Sequence, residues 1–119
     1  MLLNFGLLIS YVPDDYNLMF AKTVVICEGH LGVVKCGPMS GIVIFDANYG
    51  RTDNTTCLRR PHRRHLNTNC TSPNTLDIVT KSCAGRHCIL AASNDVFSDP
   101  CIGTRKYLKV VFGCAGYDR

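Results

Sequence analysis

The chain has no apolar run long enough to span a bilayer. Its most hydrophobic stretch, the opening MLLNFGLLISYV from Met1 to Val12, falls short of the roughly 20 residues that a transmembrane helix needs, so membrane insertion is not expected. That opening has the apolar character of a secretory leader, yet no Lys or Arg precedes it and no small-x-small cleavage pattern follows. Residues 1–22 are therefore read as a poor or truncated leader or an N-terminal extension. Aromatic residues are few, 8% of the chain, and none interleaves with the one basic run, RRPHRRH at Arg59 to His65. Surfaces that bind nucleic acid stack bases on aromatic rings, so nucleic acid is not an expected partner. The run reads as a solvated loop, with a heparin-like polyanion as the alternative. Internal repeats and low-complexity tracts are missing as well, and Ser, His and Asp occur without a nucleophile elbow or other catalytic setting.

Cysteine, by contrast, is abundant. All eight fall between Cys27 and Cys114, about one residue in eleven, which is the density of a disulfide scaffold. A single domain within 119 residues has only a modest core and gains from cross-links. Disulfides form in oxidising compartments, so the chain is expected to be secreted or extracellular. Two glycosylation sequons agree with that: Asn54-Thr55-Thr56 in a polar stretch, and Asn69-Cys70-Thr71, weaker for its cysteine in the middle position. A zinc site is the rival use of these sulfurs, with Cys83, Cys88, His87, His62 and His65 as ligands. The spacing is not that of a common finger, and bridges are favoured.

Apolar residues recur in short runs bounded by Gly, Pro, Asn and Asp, which predicts short strands over Thr23 to Ile26, Leu31 to Lys35, Ile42 to Ala47 and Cys88 to Ala92. In YLKVVFGC the alternation places Leu108, Val110 and Phe112 toward a core and Tyr107, Lys109 and Val111 away from it, giving a C-terminal strand. One helix is expected after Asn74 or Thr75, with Leu76, Val79 and Cys83 on one face and Gly85 as its stop. The fold class is accordingly α/β: a small disulfide-rich mixed domain of short, mainly antiparallel strands with one or two short helices, spanning residues 23–114 ahead of a tail, 115–119.

Four pieces in order carry the chemistry: CEG at Cys27 to Gly29, ANYGR at Ala47 to Arg51, ILAASNDVFSDPC at Ile89 to Cys101, and GTRKYL at Gly103 to Leu108. A sugar presents hydroxyls that both donate and accept, so its site wants ionised acceptors, an ammonium and an amide at fixed spacing. Glu28, Asp99, Lys106 and Asn94 are that set. Taken singly each has an ordinary structural role open to it, as a turn former, a cap or a surface charge. As an ordered set the four pieces closely resemble the SUEL-type lectin domain that binds L-rhamnose or D-galactose, found in fish-egg and sea-urchin lectins and in latrophilin receptors.

The resemblance implies more than the residues do. Sequence alone leaves about a hundred cysteine connectivities open, whereas the family pattern joins Cys27 with Cys57, Cys36 with Cys114, Cys70 with Cys101 and Cys83 with Cys88. It also implies a pocket lined by Glu28, Tyr49, Asn94, Asp99, Gly103 and Lys106, with no metal or cofactor, and a partner that is an L-rhamnose- or galactose-containing glycan. Arg51 is expected beneath the site rather than on the sugar. Two positions depart from the family pattern. Ser98 stands where Gly is usual, which is tolerable unless φ there is positive, and Arg105 replaces an aromatic, adding a cation suited to acidic or sulfated glycans. An enzyme using Glu28 and Asp99 as a glycosidase pair is disfavoured for want of a deep cleft. The runner-up is an extracellular module that binds a cell-surface protein. Agglutination through one domain requires self-association.

Overall fold

The computed structural model describes residues 20–59 and 66–116. Five strands and two short helices follow the order β1 (Lys22–Cys27), β2 (Leu31–Lys35), β3 (Ser40–Gly50), α1 (Thr75–Ser82), β4 (His87–Ala91), α2 (Asn94–Phe97) and β5 (Tyr107–Gly116). β5 lies at the centre of a three-stranded antiparallel sheet with β1 on one side and β3 on the other, and β2 pairs with β4 in a separate antiparallel ribbon. All three pairings join segments distant in sequence, so the topology depends on long-range contacts that cross-links can hold.

The core follows from alternation. Leu108 and Val110 on β5 are fully buried and Phe112 nearly so, with Ile26, Val34, Ala47, Val79, Leu90 and Phe97 packed around them. Tyr107 is buried too, against the expectation from alternation, because its ring lies under the Arg51 guanidinium and its hydroxyl meets the loop after β3. β3 runs three residues beyond Ala47, where Asn48, Tyr49 and Gly50 pair with Lys109, Leu108 and Tyr107. Gly50 belongs there because a Cβ would run into the Cys70 carbonyl oxygen, and the close approach lets Arg51 and Cys70 exchange two backbone hydrogen bonds.

α1 buries Thr75 and Val79, and Cys83 directly after it is buried as well, while Leu76 is exposed. The inward stripe thus begins one residue earlier than the apolar pattern suggests. The Thr75 hydroxyl explains the shift: it accepts from the Tyr49 N–H at 3.1 Å and donates to the Ser72 carbonyl at 2.9 Å, stitching the helix start to β3. Asn74 is the N-cap but its side chain caps nothing, and the helix closes at Ser82, ahead of Gly85. Among the described residues no helix is long and apolar enough to cross a membrane.

Four disulfides join Cys27 to Cys57, Cys36 to Cys114, Cys70 to Cys101 and Cys83 to Cys88, with no cysteine left free, so no thiol remains for zinc. These are the pairs that the resemblance implied. The Cys36–Cys114 bridge, closing a separation of 78 residues, ties the β2–β4 ribbon to the central strand, whereas Cys83–Cys88 closes one of 5. If constraint of the unfolded chain dominates, the long loop is worth about 4.5 kcal/mol and the short one about 2 kcal/mol. Paired Cys→Ser variants under non-reducing conditions should therefore lose stability in that order, read as urea midpoints. A larger loss from opening Cys83–Cys88 would show that local strain or packing, not chain entropy, sets the contribution.

Candidate functional site

The turn between β1 and β2 places the first acceptor. Gly29, at φ 89°, allows the chain to reverse, and the turn is gripped from both sides: the Glu28 N–H donates to the Lys106 carbonyl at 3.1 Å, and the Gly29 N–H to the Ala92 carbonyl at 2.8 Å. Glu28 then reaches across, and its Oε1 accepts from the Lys106 N–H at 2.8 Å. One carboxylate oxygen is thus committed to the scaffold. The other is left for solvent or ligand, on a side chain 27% exposed.

The second element is α2 and the segment that leaves it. Ser93 caps the helix by accepting from the Val96 N–H. Asn94, the first residue of α2, accepts on Oδ1 from the Tyr49 hydroxyl at 2.7 Å. Tyr49 itself is wholly buried, stacked on Phe97 at 5.2 Å between ring centroids. Burial, reinforced by the negative charges of Glu28 and Asp99, pushes its phenol well above the ordinary value, so it stays a hydrogen-bond donor. With Oδ1 taken, the Asn94 amide presents its NH2 group, which lies 3.5 Å from Asp99 Oδ2. Asp99 in turn accepts the Cys101 N–H on Oδ1 at 3.1 Å, a local turn fixed at once by the Cys70–Cys101 bridge.

Lys106 closes the arrangement. Its side chain is only 3% exposed, and Nζ lies 2.9 Å from the Thr104 carbonyl, 3.0 Å from Asp99 Oδ1 and 3.4 Å from Glu28 Oε1. An ammonium has three N–H donors, and three oxygens stand within 3.4 Å of this one. Gly103, at φ 88°, makes the turn that brings Thr104 under the ammonium.

Beneath this lies Arg51, fully buried, whose guanidinium donates to the carbonyls of Arg105 at 2.7 Å, Asp53 at 3.1 Å and Thr56 at 2.8 Å while lying 5.0 Å from the Tyr107 ring centroid. It is structural, as expected. The loop it holds is organised by Asp53. Partial burial works against the ionised carboxyl, but the Thr56 hydroxyl and N–H, the Thr55 N–H and the Tyr107 hydroxyl outweigh it and hold the pKa at about 2.

The outcome is an open, shallow depression lined by Glu28, Gly29, Asn94, Asp99, Gly103, Thr104, Arg105 and Lys106. Five of the six pocket residues expected from the sequence line it. Tyr49 stands behind the wall and acts on it through Asn94. Gly29 and Thr104 are lining residues that the expected set lacked; the Thr104 carbonyl, rather than its side chain, faces Lys106, and a backbone group leaves no mark in composition. Asn54 and Asn69 are exposed, as a sequon must be, and the basic run beyond Arg59 lies outside the described residues. The segment from Asn94 contains a helical turn. Ser98 ends it at φ 68° and ψ −177°, a region that side chains other than glycine's rarely enter.

The sequence pattern described as the D-galactoside/L-rhamnose binding SUEL lectin domain matches residues 34–114. The L-rhamnose-binding lectin CSL1 of Oncorhynchus keta is 41% identical over 108 residues, 90% of this chain and 37% of that protein. The D-galactoside-specific lectin of Heliocidaris crassispina is 41% identical over 91 residues, 76% of this chain and 87% of the relative. Adhesion G protein-coupled receptor L1 of Homo sapiens is 38% identical over 92 residues, 76% of this chain and 6% of the receptor. Against the fish lectins the chain spans about a third to a half of their length, 37%, 34% and 52% of three such relatives.

Two outcomes follow from the supporting geometry. Ser98→Gly should stabilise the fold by about 1 kcal/mol, relief of the positive φ outweighing the added freedom of the unfolded chain; an unchanged or lower melting temperature would mean that the conformation carries no strain. Asp53 is held below its unfolded value of 3.8, so its stabilisation is present above that pH and is lost as pH falls through about 2. Urea midpoints of the wild type should therefore fall over that window more steeply than those of Asp53→Asn.

Proposed function

The chain belongs to the D-galactoside/L-rhamnose-binding SUEL lectin family, and from that premise we propose that it is a secreted, non-catalytic lectin domain that recognises L-rhamnose- or D-galactose-type sugars by direct hydrogen bonds. The observation that carries this reading is the convergence of Glu28, Asn94 and Asp99 on one open depression, each with one polar atom tied to the scaffold and a second one free of it, those of Asn94 and Asp99 meeting each other only at 3.5 Å. Glu28 and Asp99 accept from hydroxyls, and the Asn94 amide donates. Lys106 offsets the two carboxylates; a sugar hydroxyl that reaches it replaces the longest of its contacts, the one to Glu28 at 3.4 Å. Gly103 and the buried Tyr49 shape the pocket from its rim and from behind.

L-rhamnose and D-galactose share the orientation of some ring hydroxyls, which lets one set of acceptors serve both. Direct hydrogen bonds to side chains already fixed need no bridging cation, and little ordering entropy is left for binding. A single shallow site binds weakly, so agglutination requires several sites on one particle through self-association or further domains.

Titration calorimetry of the oxidised protein with L-rhamnose, D-galactose and glucose, with and without EDTA, tests the proposal. Saturable binding of rhamnose or galactose, unaffected by EDTA and abolished by Asp99→Ala, is expected. Asp99 also holds Lys106, so Asn94→Ala, which removes the donor while leaving the ion pairs, should weaken binding at least about tenfold, as loss of one well-placed hydrogen bond to a ligand does. A correctly bridged protein that binds none of these sugars would turn the assignment toward a protein-binding module of the receptor type.

A further inference from the structure

The turn that carries Glu28 has a second side. Glu28 and Gly29 face the depression described above, while Cys27 and His30 face a neighbouring one lined also by Cys57, Leu58, Arg59 and Arg105. Arg105 lines both, so the two are adjacent and share a wall. The second is no smaller than the first, about 640 Å³ against about 540 Å³, within the size range of ligand pockets.

Its charge balance differs. The first depression holds two carboxylates, one ammonium and the shared Arg105 guanidinium; the second has two guanidinium groups, an imidazole and, among its described lining residues, no carboxylate. Among the described residues neither Arg59 nor Arg105 forms an ion pair. The Arg105 side chain is exposed although its backbone is locked by Arg51, so the cation is presented on a fixed base without being needed to hold it. His30 Nδ1 lies 3.3 Å from the Cys27 carbonyl, and with Nδ1 donating there the ring leaves Nε2 to the pocket. The Cys27–Cys57 disulfide and half-buried Leu58 supply an apolar floor, the kind of surface on which the C–H face of a pyranose rests.

We propose that this depression is a second subsite, which takes an anionic substituent, a sulfate ester or a carboxylate, on the sugar next to the one bound by Glu28, Asn94 and Asp99. The inference rests on the lectin reading and names the substrate class within it: an acidic glycan with a neutral terminal sugar. Guanidinium groups pair with such oxyanions through two parallel N–H donors, and no carboxylate stands among the described lining residues to repel them.

The test compares affinities for galactose disaccharides that are neutral, sulfated or uronic-acid-bearing at the second sugar, using the oxidised full chain and the variants Arg59→Ala and Arg105→Ala. The wild type should bind an anionic form roughly tenfold more tightly than the neutral one, the gain of one charge-assisted hydrogen bond. That ratio should fall toward one in both variants and shrink as salt is raised. The sulfate and uronate arms separate the two sources of charge. Equal affinity for neutral and anionic forms, or a gain that survives both substitutions, overturns the subsite. If anionic forms bind in an arginine-dependent way while neutral sugars do not bind at all, the subsite stands and the neutral-sugar reading falls; if none binds, both fall.

Discussion

A buried ammonium shared by two carboxylates and a carbonyl is the constraint on which the binding face depends. Removing Lys106 Nζ from water is costly unless every donor is met and the charge is compensated. Its partners come from two separate connections: Glu28 from the turn after β1, and Asp99 and Thr104 from the two ends of the loop that joins α2 to β5. Satisfying one cation therefore folds the α2–β5 loop back on itself and brings it against the turn after β1. Buried ion pairs are poor evidence of net stability, and nothing requires that role of Lys106. What it supplies is position, while the cross-links supply stability. Cys27 adjoins Glu28, and Cys101 follows Asp99 by two residues, so a disulfide stands close beside each carboxylate.

Arg51 has the complementary role in the layer beneath. It is also a buried cation, but its hydrogen-bond partners among the described residues are backbone carbonyls, with the Asp53 carboxylate near it at 3.5 Å. Lys106 thereby fixes side chains and Arg51 fixes main chain. The two systems meet at residues 104 to 106, where adjacent carbonyls point to different cations, Thr104 to Lys106 and Arg105 to Arg51. The loop has little freedom left, which explains how a domain with so small a core presents an ordered face.

Much of this was legible in the residues themselves. β2 has the bounds its apolar run suggests, and the strand at the C-terminus buries Leu108, Val110 and Phe112 as alternation requires. The polar set could be named because a sugar site needs those groups and the family order supports them. Depth was not legible. Lys106 and Tyr49 are polar residues in turn-like surroundings, and nothing in their neighbours announces that one is a desolvated cation and the other a phenol sealed behind an amide. The extension of β3 through Asn48-Tyr49-Gly50 was hidden for a related reason: those residue types usually mark a turn, and the strand persists there because Gly50 admits the Cys70 backbone. Ser98 shows where local rules stop. Its φ of 68° is imposed by the join of α2 to Asp99, a tertiary demand that the serine itself would not predict.

The division between fixed backbone and free side chain bears on how such a site changes specificity. At position 105 the scaffold uses only the carbonyl, which accepts from Arg51 at 2.7 Å, so any side chain can stand there without disturbing Lys106 or the loop. Glu28 and Asp99 have no such latitude, since each holds both the scaffold and the ammonium. The residues proposed to hold the first sugar are thus ones the fold cannot release, and the residue proposed to face its neighbour is one whose side chain the fold does not need. On the proposed lectin reading, recognition of a common terminal sugar would rest on the architecture, whereas discrimination among the glycans that carry it would fall to positions such as Arg105 and Arg59, which alter charge at the rim without altering the frame.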